Sequence, residues 1–590
     1  MTGFLGFAPI YLNGLLAIFF VFVLPGLVLV RGFDLPDFPQ RWFIVFLGSV
    51  TFNHLLMTLI ALLQLDPLTT YRIAAAVLVA LLIVATVRKA AGSGNLLHQD
   101  RSVMLWSDIG WLLAALVVIS LAYFNVWKHG VPNIFVGSDV AVSWNVWSLI
   151  WSEGKFPVHS YGYPHFVTTV WAVTYVFIGS TEQYFAFYVY IVLIIAPLAL
   201  NAMILGRIRW WQPLLAGLMF AWFVAEIREP WLRSTLQEGW PDWIAAFFGF
   251  SGAVLFVANA PEGLLDRQKA INALVSLGLV SIAAATKPMY GLLAVAILIA
   301  VCRDAAKHLS RGERNRLTAA AVGVLAVFVI AYAITYAHLV TRGMPHYPVV
   351  ELAERMSRAG NLLNANFTLP FRILAFAGLL LSPFLPRIRW LALPLATGFW
   401  LWADTASYDI RNILGLLMIS AFIPLYALAR AFMPARDVPD QPRWSVPDGA
   451  VAMALVALCV GLTLPFAQGD KGLKQRFADE QLRAGMGLEF NRNIGKLLER
   501  GCTVFSADVY IGTISAFRPF RSQMKIFHFS VPLDDLQIKQ FNQSIGCTGI
   551  FYQPSSTHPS VLSHVAGYAR ARGLKKLAEG NGFELLGSGP

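Results

Sequence analysis

Charge is scarce in this sequence, and what there is of it is lopsided. Only 13% of the 590 residues are Asp, Glu, Lys or Arg, against 57% that are hydrophobic. A soluble globular domain carries roughly twice that share of charge, so a water-soluble fold is excluded. The 45 Lys and Arg outnumber the 33 Asp and Glu, for a net charge of +12. They lie mainly in short stretches between apolar runs, which makes the excess a topology signal and not a nucleic-acid footprint. Cysteine is rare, at four residues. There is no HExxH, no Asp-x-Asp on the side expected to carry chemistry and no paired Cys/His cluster, so no cofactor is expected, and dependence on a divalent metal stays open. No internal repeat is visible, which counts against a transporter assembled from repeated halves. No cleavable leader is expected either, because the first apolar run, about 10–30, lacks a charged n-region and a small-residue cleavage site.

What the chain does have is apolar runs near the length of a membrane span. They fall near 10–30, 42–63, 71–87, 109–127, 184–205, 212–225, 242–259, 271–286, 289–303, 317–339, 371–385, 390–403, 411–430 and 449–467. The positive-inside rule puts Arg31, Arg41, Arg88, Lys89 and Arg101 in cytoplasmic loops, with the basic clusters at 206–211, 267–269, 303–316, 387–389 and 430–443. A complete crossing by the apolar stretch 166–179 would turn the basic 206–211 turn outward, so that stretch is expected to be re-entrant or tilted. The expectation is a polytopic α-helical membrane protein of about fourteen spans over 1–467, with loops 128–165, 226–241, 340–370 and 404–411 on the outer side. Residues 468–590 change composition. β-type runs at Thr503–Ser506, Met524–Phe529 and Thr548–Tyr552, with helical patterns near 532–544 and 558–575, predict a small α/β domain on the outer face. Cys302 and Cys459 lie in or beside spans as buried apolar residues. Cys502 and Cys547 each precede a β-type run. If those strands are parallel neighbours, the two can form a disulfide in an oxidising compartment; otherwise they are two buried thiols.

The first outer loop is the stretch that breaks the apolar pattern. Asp139 stands near its start, and Trp144, Trp147 and Trp151 recur at helical spacing until Gly154 and Pro157 stop the helix. A carboxylate at the membrane surface is suited to a general base, and equally to capping the helix that begins at Val140. Lys287 lies in a very short outer turn between two apolar runs, where it can hold a phosphate as a point charge or simply snorkel. The second outer loop carries Arg228, Arg233, Glu238 and Asp242 among tryptophans, Trp240 included. That mixture suits a sugar ring and an oxyanion together, and suits an interfacial aromatic belt as well. Ser138, Asn145, Tyr163 and His165 in the first loop, His346 and Tyr347 in the third, and Asp404 and Arg411 in the fourth complete the candidate substrate contacts.

The order of these features resembles a known family. A span, an outer Asp in GSD, an interfacial helix, EGKFP and then YGYPH leading into an apolar stretch is similar to the GT-C glycosyltransferases. Within them it resembles the protein O-mannosyltransferase and lipid A aminoarabinose transferase branch, and TKPMYG resembles that branch's Thr-Lys-Gly-Pro turn. The resemblance covers about residues 109–303. It implies transfer of a sugar from a polyprenyl-phosphate carrier to a glycan, lipid or protein acceptor on the outer face of a bacterial inner membrane, with Asp139 as base and Lys287 on the carrier phosphate. Many relatives have Asp-Glu where this chain has Asp139-Val140, so a second acid is not carried over at that position. Two other classes stay open. An oligosaccharide or O-antigen-type ligase using a polyprenyl diphosphate would draw on Arg342, His346 and Arg355. The other is a lipid or glycan transporter.

Overall fold

The computed structural model describes residues 2–31, 37–93, 101–122, 140–158, 162–180, 183–259, 265–339, 351–406, 409–433, 443–447, 488–507, 522–527, 532–544, 546–580 and 582–588, with isolated positions between them. Long apolar helices dominate, because a backbone surrounded by lipid must satisfy its hydrogen bonds within each segment. Helices α1 (Thr2–Phe22), α2 (Leu24–Val30), α3 (Phe38–Leu63), α4 (Pro67–Ser93), strand β1 (Arg101–Leu105) and α5 (Trp106–Ala122) precede the polar stretch. After it come α6 (Asn145–Ser152), α7 (Phe166–Ile178), α8 (Tyr184–Ile208), α9 (Trp211–Glu226), α10 (Pro230–Glu238), α11 (Pro241–Ala258), α12 (Arg267–Thr286), α13 (Gly291–His308) and α14 (Arg311–Ala337). The remainder of the bundle is α15 (Leu352–Asn366), α16 (Leu369–Leu381), α17 (Arg389–Leu401), α18 (Leu414–Phe432) and strand β2 (Arg443–Pro447).

Among the described residues, nine helical segments are long and apolar enough to cross a membrane, and three shorter apolar helices accompany them. The chain is therefore a polytopic α-helical membrane protein, and these helices coincide with the apolar runs named above. Most of the run at 449–467 lies outside the described residues.

Helix α11 is the centre of the bundle, buried along its whole length, whereas little of α4 is buried. Small residues bring its neighbours close. At Gly252 an added Cβ would stand 2.5 Å from Val280 Cγ2 and 2.9 Å from Ser276 O on α12. At Gly415 on α18 it would stand 2.9 Å from Ala246 Cα on α11. Close backbone approach of this kind is how helices associate where lipid supplies no hydrophobic drive.

The loops sort to two ends of the bundle. At one end the Arg207 guanidinium donates to Asp37 at 2.8 Å, to Asp108 at 2.6 Å and to Val103 O at 2.9 Å. There β1 also pairs antiparallel with β2, Arg101 opposite Pro447. This gathers the loops that the charge rule placed together. At the other end lie α6, the 226–242 connection, Lys287 and the start of α18, joined by the contacts described below. Helix α7 is 13 residues long, about 20 Å against a hydrocarbon core of about 30 Å. Both its flanks lie at this second end: His165 packs on Trp147 and Trp151, and Gln183 accepts the N–H of Phe135, whose ring fills the space beside Gly239. Both flanks of the helix thus lie at the same end of the bundle.

The C-terminal part is a separate small α/β unit. Its five-stranded sheet runs β4 (Met524–Ile526), β3 (Thr503–Ser506), β5 (Thr548–Tyr552), β7 (Phe583–Gly587), β6 (Lys575–Gly580) in spatial order. Strand β3 is parallel to both β4 and β5, and the β6–β7 hairpin adds antiparallel. Successive β3 side chains face opposite layers. Val504 packs with Ile494 and Leu497 of α19 (Leu488–Glu499), and Phe505 packs with Phe541 of α20 (Asp535–Gln543) and Val565 of α21 (Pro559–Arg572). Because Thr503 pairs with Thr548, the residues just before them meet, and Cys502 and Cys547 are disulfide-bonded with their Cα atoms 4.5 Å apart. Cys302 is a free thiol.

Candidate functional site

The polar groups at the second end converge on Lys287. It terminates α12 in an extended conformation, and the single turn Pro288–Tyr290 follows before α13 begins. Pro288 fixes the start of that turn. Tyr290 staples it in place, its hydroxyl accepting the Gly415 N–H at 3.1 Å at the start of α18. The lysine therefore has no loop to fold into, and its side chain is 10% exposed.

Its ammonium meets Asp242 Oδ1 at 2.8 Å and donates to Asn412 Oδ1 at 3.3 Å. It also sits 5.5 Å from the ring centre of Trp144 and 5.3 Å from that of Tyr163. Asp242 is 3% exposed and occupies the first turn of α11, after Trp240 as N-cap and Pro241 at the first helical position. A carboxylate there gains from the partial positive charge of the helix N-terminus. Burial works against the Lys287 charge, but the carboxylate of Asp242, then Tyr163 and Asp409, outweigh it and hold the ammonium above the usual lysine range. It stays charged at neutral pH.

A second cation lies beside the first. The Arg411 guanidinium is forked onto Asp409, with Nε 2.9 Å from each carboxylate oxygen and Nη2 also bonded to it. It stacks 3.6 Å over Trp240, with Trp231 at 5.3 Å. Arg411 acts electrostatically on Asp242, and Asp409 does so on Lys287. Two ion pairs thus form one group, walled by Trp144, Tyr163, Trp240 and Trp231. Guanidinium and ammonium donors suit an oxyanion, and aromatic faces suit a sugar ring or an isoprenoid.

Of the residues singled out from sequence, Lys287, Asp242, Arg411, Trp240, Trp144 and Tyr163 come together here. Glu238 is adjacent and accepts the Trp240 indole N–H at 2.8 Å. Asp404 belongs to a neighbouring pair, bound by Arg355 of α15 at 2.6 Å. Arg233 is engaged elsewhere. Arg228 is exposed, and the Arg233 guanidinium donates to Ile227 O at 2.6 Å and Ala225 O at 3.1 Å, closing the C-terminus of α9.

Asn145 and His165 are buried behind the aromatic wall. Asn145 Oδ1 accepts the Tyr175 hydroxyl at 2.5 Å. Thr168 donates its own proton to His165 O, so its oxygen accepts from His165 Nδ1–H at 3.1 Å and Ser160 donates to Nε2 at 2.7 Å. Burial, with His54 adding to it, pushes the His165 imidazole down to about 3, so the ring is neutral and orients Trp147, which stacks on Tyr163. Ser138, Asp139, His346 and Tyr347 lie outside the described residues.

Sequence reasoning missed Asn412, Trp231 and the Tyr290 staple as parts of the cluster. Only the proximity of Arg411 to Asn412 hinted at the first. Among the described residues, no group of three or more His, Cys, Asp or Glu could hold a metal ion.

No protein-family model and no curated protein matches the chain. Among solved structures it is similar to ArnT from Cupriavidus metallidurans in the apo state, at 12% identity and a TM-score of 0.45, over 82% of this chain and 100% of that one. It is also similar to the Archaeoglobus fulgidus oligosaccharyltransferase in complex with Zn and sulfate, at 11% identity and a TM-score of 0.36, over 75% of this chain and 67% of that one. A third similar structure is the archaeal oligosaccharyltransferase AglB from Archaeoglobus fulgidus in complex with an inhibitory peptide and a dolichol-phosphate, at 13% identity and a TM-score of 0.33, over 70% and 64% of the two chains.

Proposed function

We propose that this protein is an inverting GT-C-type glycosyltransferase. It moves a sugar from a polyprenyl-phosphate carrier to an envelope glycan, lipid or protein acceptor at the outer face of a bacterial cytoplasmic membrane. The observation that carries the reading is Lys287: a charged ammonium at the junction of two apolar helices, against the rings of Trp144 and Tyr163, with Arg411 beside it. A carrier phosphate lies at headgroup depth, where the end of such a helix pair also lies.

The chemistry asks for little else. As the bond from the anomeric carbon to the carrier oxygen breaks, the leaving phosphate gains charge, and cations stabilise it more than they stabilise the bound donor. The acceptor hydroxyl loses its proton as it attacks, and Asp139 is the base assigned to it. The sugar passes through an oxocarbenium-like state, and one displacement inverts the anomeric centre. Trp231, half exposed beside Arg411, offers a face to the sugar or the isoprenoid.

The test is transfer of radiolabelled sugar from a set of polyprenyl-phosphate sugars to membrane acceptors by the purified protein, with Asp139→Asn alongside. Product from the wild type and none from a folded Asp139→Asn is the expected result. Transfer only from polyprenyl-diphosphate donors would make it a ligase, and no transfer from any donor would overturn the enzyme reading. Near-normal turnover by Asp139→Asn would leave Asp139 as a helix cap.

A further inference from the structure

We propose that Asp242 is a specificity-determining residue. Its carboxylate leaves the site without surplus positive charge, so that the site takes a donor head bearing one negative charge, a phosphodiester, in preference to a diphosphate bearing two. This rests on the reading above, in which Lys287 holds the carrier phosphate.

The argument is one of charge in a closed place. Lys287 is paired with Asp242, Arg411 is paired with Asp409, and each pair acts on the other. Two cations and two carboxylates sum to zero. The four side chains are all about nine-tenths buried, so water screens them weakly and a surplus charge is felt at full local strength. A sugar on a polyprenyl phosphate is a diester with one negative charge, and on a diphosphate it carries two. The first leaves the occupied site one charge short of neutral, the second two.

Asp242 sets this balance more directly than the other groups do. Lys287 also has a neutral acceptor in Asn412 and two ring faces, so part of its bonding survives without the carboxylate. What the carboxylate adds is a negative charge 2.8 Å from the ammonium. A bound phosphate competes with Asp242 for Lys287, and a second phosphate must do so while repelled by it. Replacing Asp242 with Asn keeps the shape and removes that repulsion, which helps the doubly charged head more than the singly charged one.

The experiment measures binding, so it needs neither the sugar nor the acceptor. Two chain-matched probes, a polyprenyl ethyl phosphate and a polyprenyl ethyl diphosphate, are titrated against the full-length protein in nanodiscs at fixed salt. We expect the wild type to prefer the phosphodiester. Asp242→Asn should move the ratio of the two affinities toward the diphosphate by about tenfold or more, equivalent to ~1.4 kcal/mol, and Asp242→Glu should keep the wild-type ratio. Should Asp242→Asn not fold, Asp409→Asn removes the same charge from the other pair and should move the ratio the same way. A wild type that prefers the diphosphate, or a folded asparagine variant with an unchanged ratio, overturns the inference. Failure of the wild type to bind either probe overturns the Lys287 phosphate reading beneath it.

Discussion

Lys287→Met is the substitution whose consequence the structure changes most. On a snorkelling lysine it would cost little. Here it removes one member of an ion pair whose other member, Asp242, is 3% exposed. Breaking a buried pair by deleting one partner costs about 3–5 kcal/mol, chiefly because a charge is left uncompensated. Arg411 still acts on Asp242, so the lower end, about 3 kcal/mol, is expected. Asp242→Asn strands the lysine in turn, with Asp409 and Asn412 to soften the loss, and should cost about 2–3 kcal/mol. Removing both charges leaves neither stranded. The double variant should then lie within about 1 kcal/mol of wild type, a coupling of roughly 4 kcal/mol. Equilibrium unfolding in mixed micelles measures all four corners of this cycle. Additive losses, with the double variant at the sum of the singles, would refute the buried-pair argument and return Lys287 to the membrane surface.

On folded protein, Lys287→Met should lower turnover by roughly a hundredfold, the scale of losing one electrostatic donor to a transition state; unchanged kinetics at saturating donor would move attention to Arg411. Cys502 and Cys547 should both be protected from thiol labelling until reductant is added, as seen by intact mass. Their 45-residue separation implies a loss of about 4 kcal/mol from the C-terminal unit on reduction; labelling without reductant would remove the bridge. His165 should make the fold acid-sensitive. Its imidazole is held down to about 3 in the fold against about 6.5 unfolded, so between those values the unfolded chain binds the extra proton and stability falls as pH drops. His165→Gln should flatten that part of the pH–stability profile, and an unaltered profile would show that the ring does not titrate across unfolding.

Composition and run length were enough to set the class. Where Asp, Glu, Lys and Arg are this rare and apolar stretches reach membrane length, only helices satisfy the backbone in lipid. The described spans accordingly fall where the hydropathy of the chain placed them. The basic loops sorted to one end for the same kind of reason, since charge bias is written locally in sequence. Gly154, with a φ of +72°, ends the tryptophan helix as its type and position required. The β6–β7 pairing had a local signal too, the dipeptide Asn-Gly at 581–582 in the sequence between the two strands.

Partnership was not legible. Asp242 and Lys287 stand 45 residues apart, Arg411 is more than 120 further on, and nothing in the spacing says that α11, α12 and α18 bring them within one cluster. That was decided by small residues, Gly252 and Gly415, letting three helices approach, and by Tyr290 pinning the turn that carries the lysine. Arg233 shows the converse. In sequence it stood ahead of Arg411 as an oxyanion ligand, but packing turned it onto the carbonyls that end α9 and turned Arg411 onto Trp240. Hydropathy and charge bias act residue by residue and survive in a linear reading. Which charge neutralises which depends on distances of a few ångströms between segments far apart in the chain, and only the packed bundle fixes those.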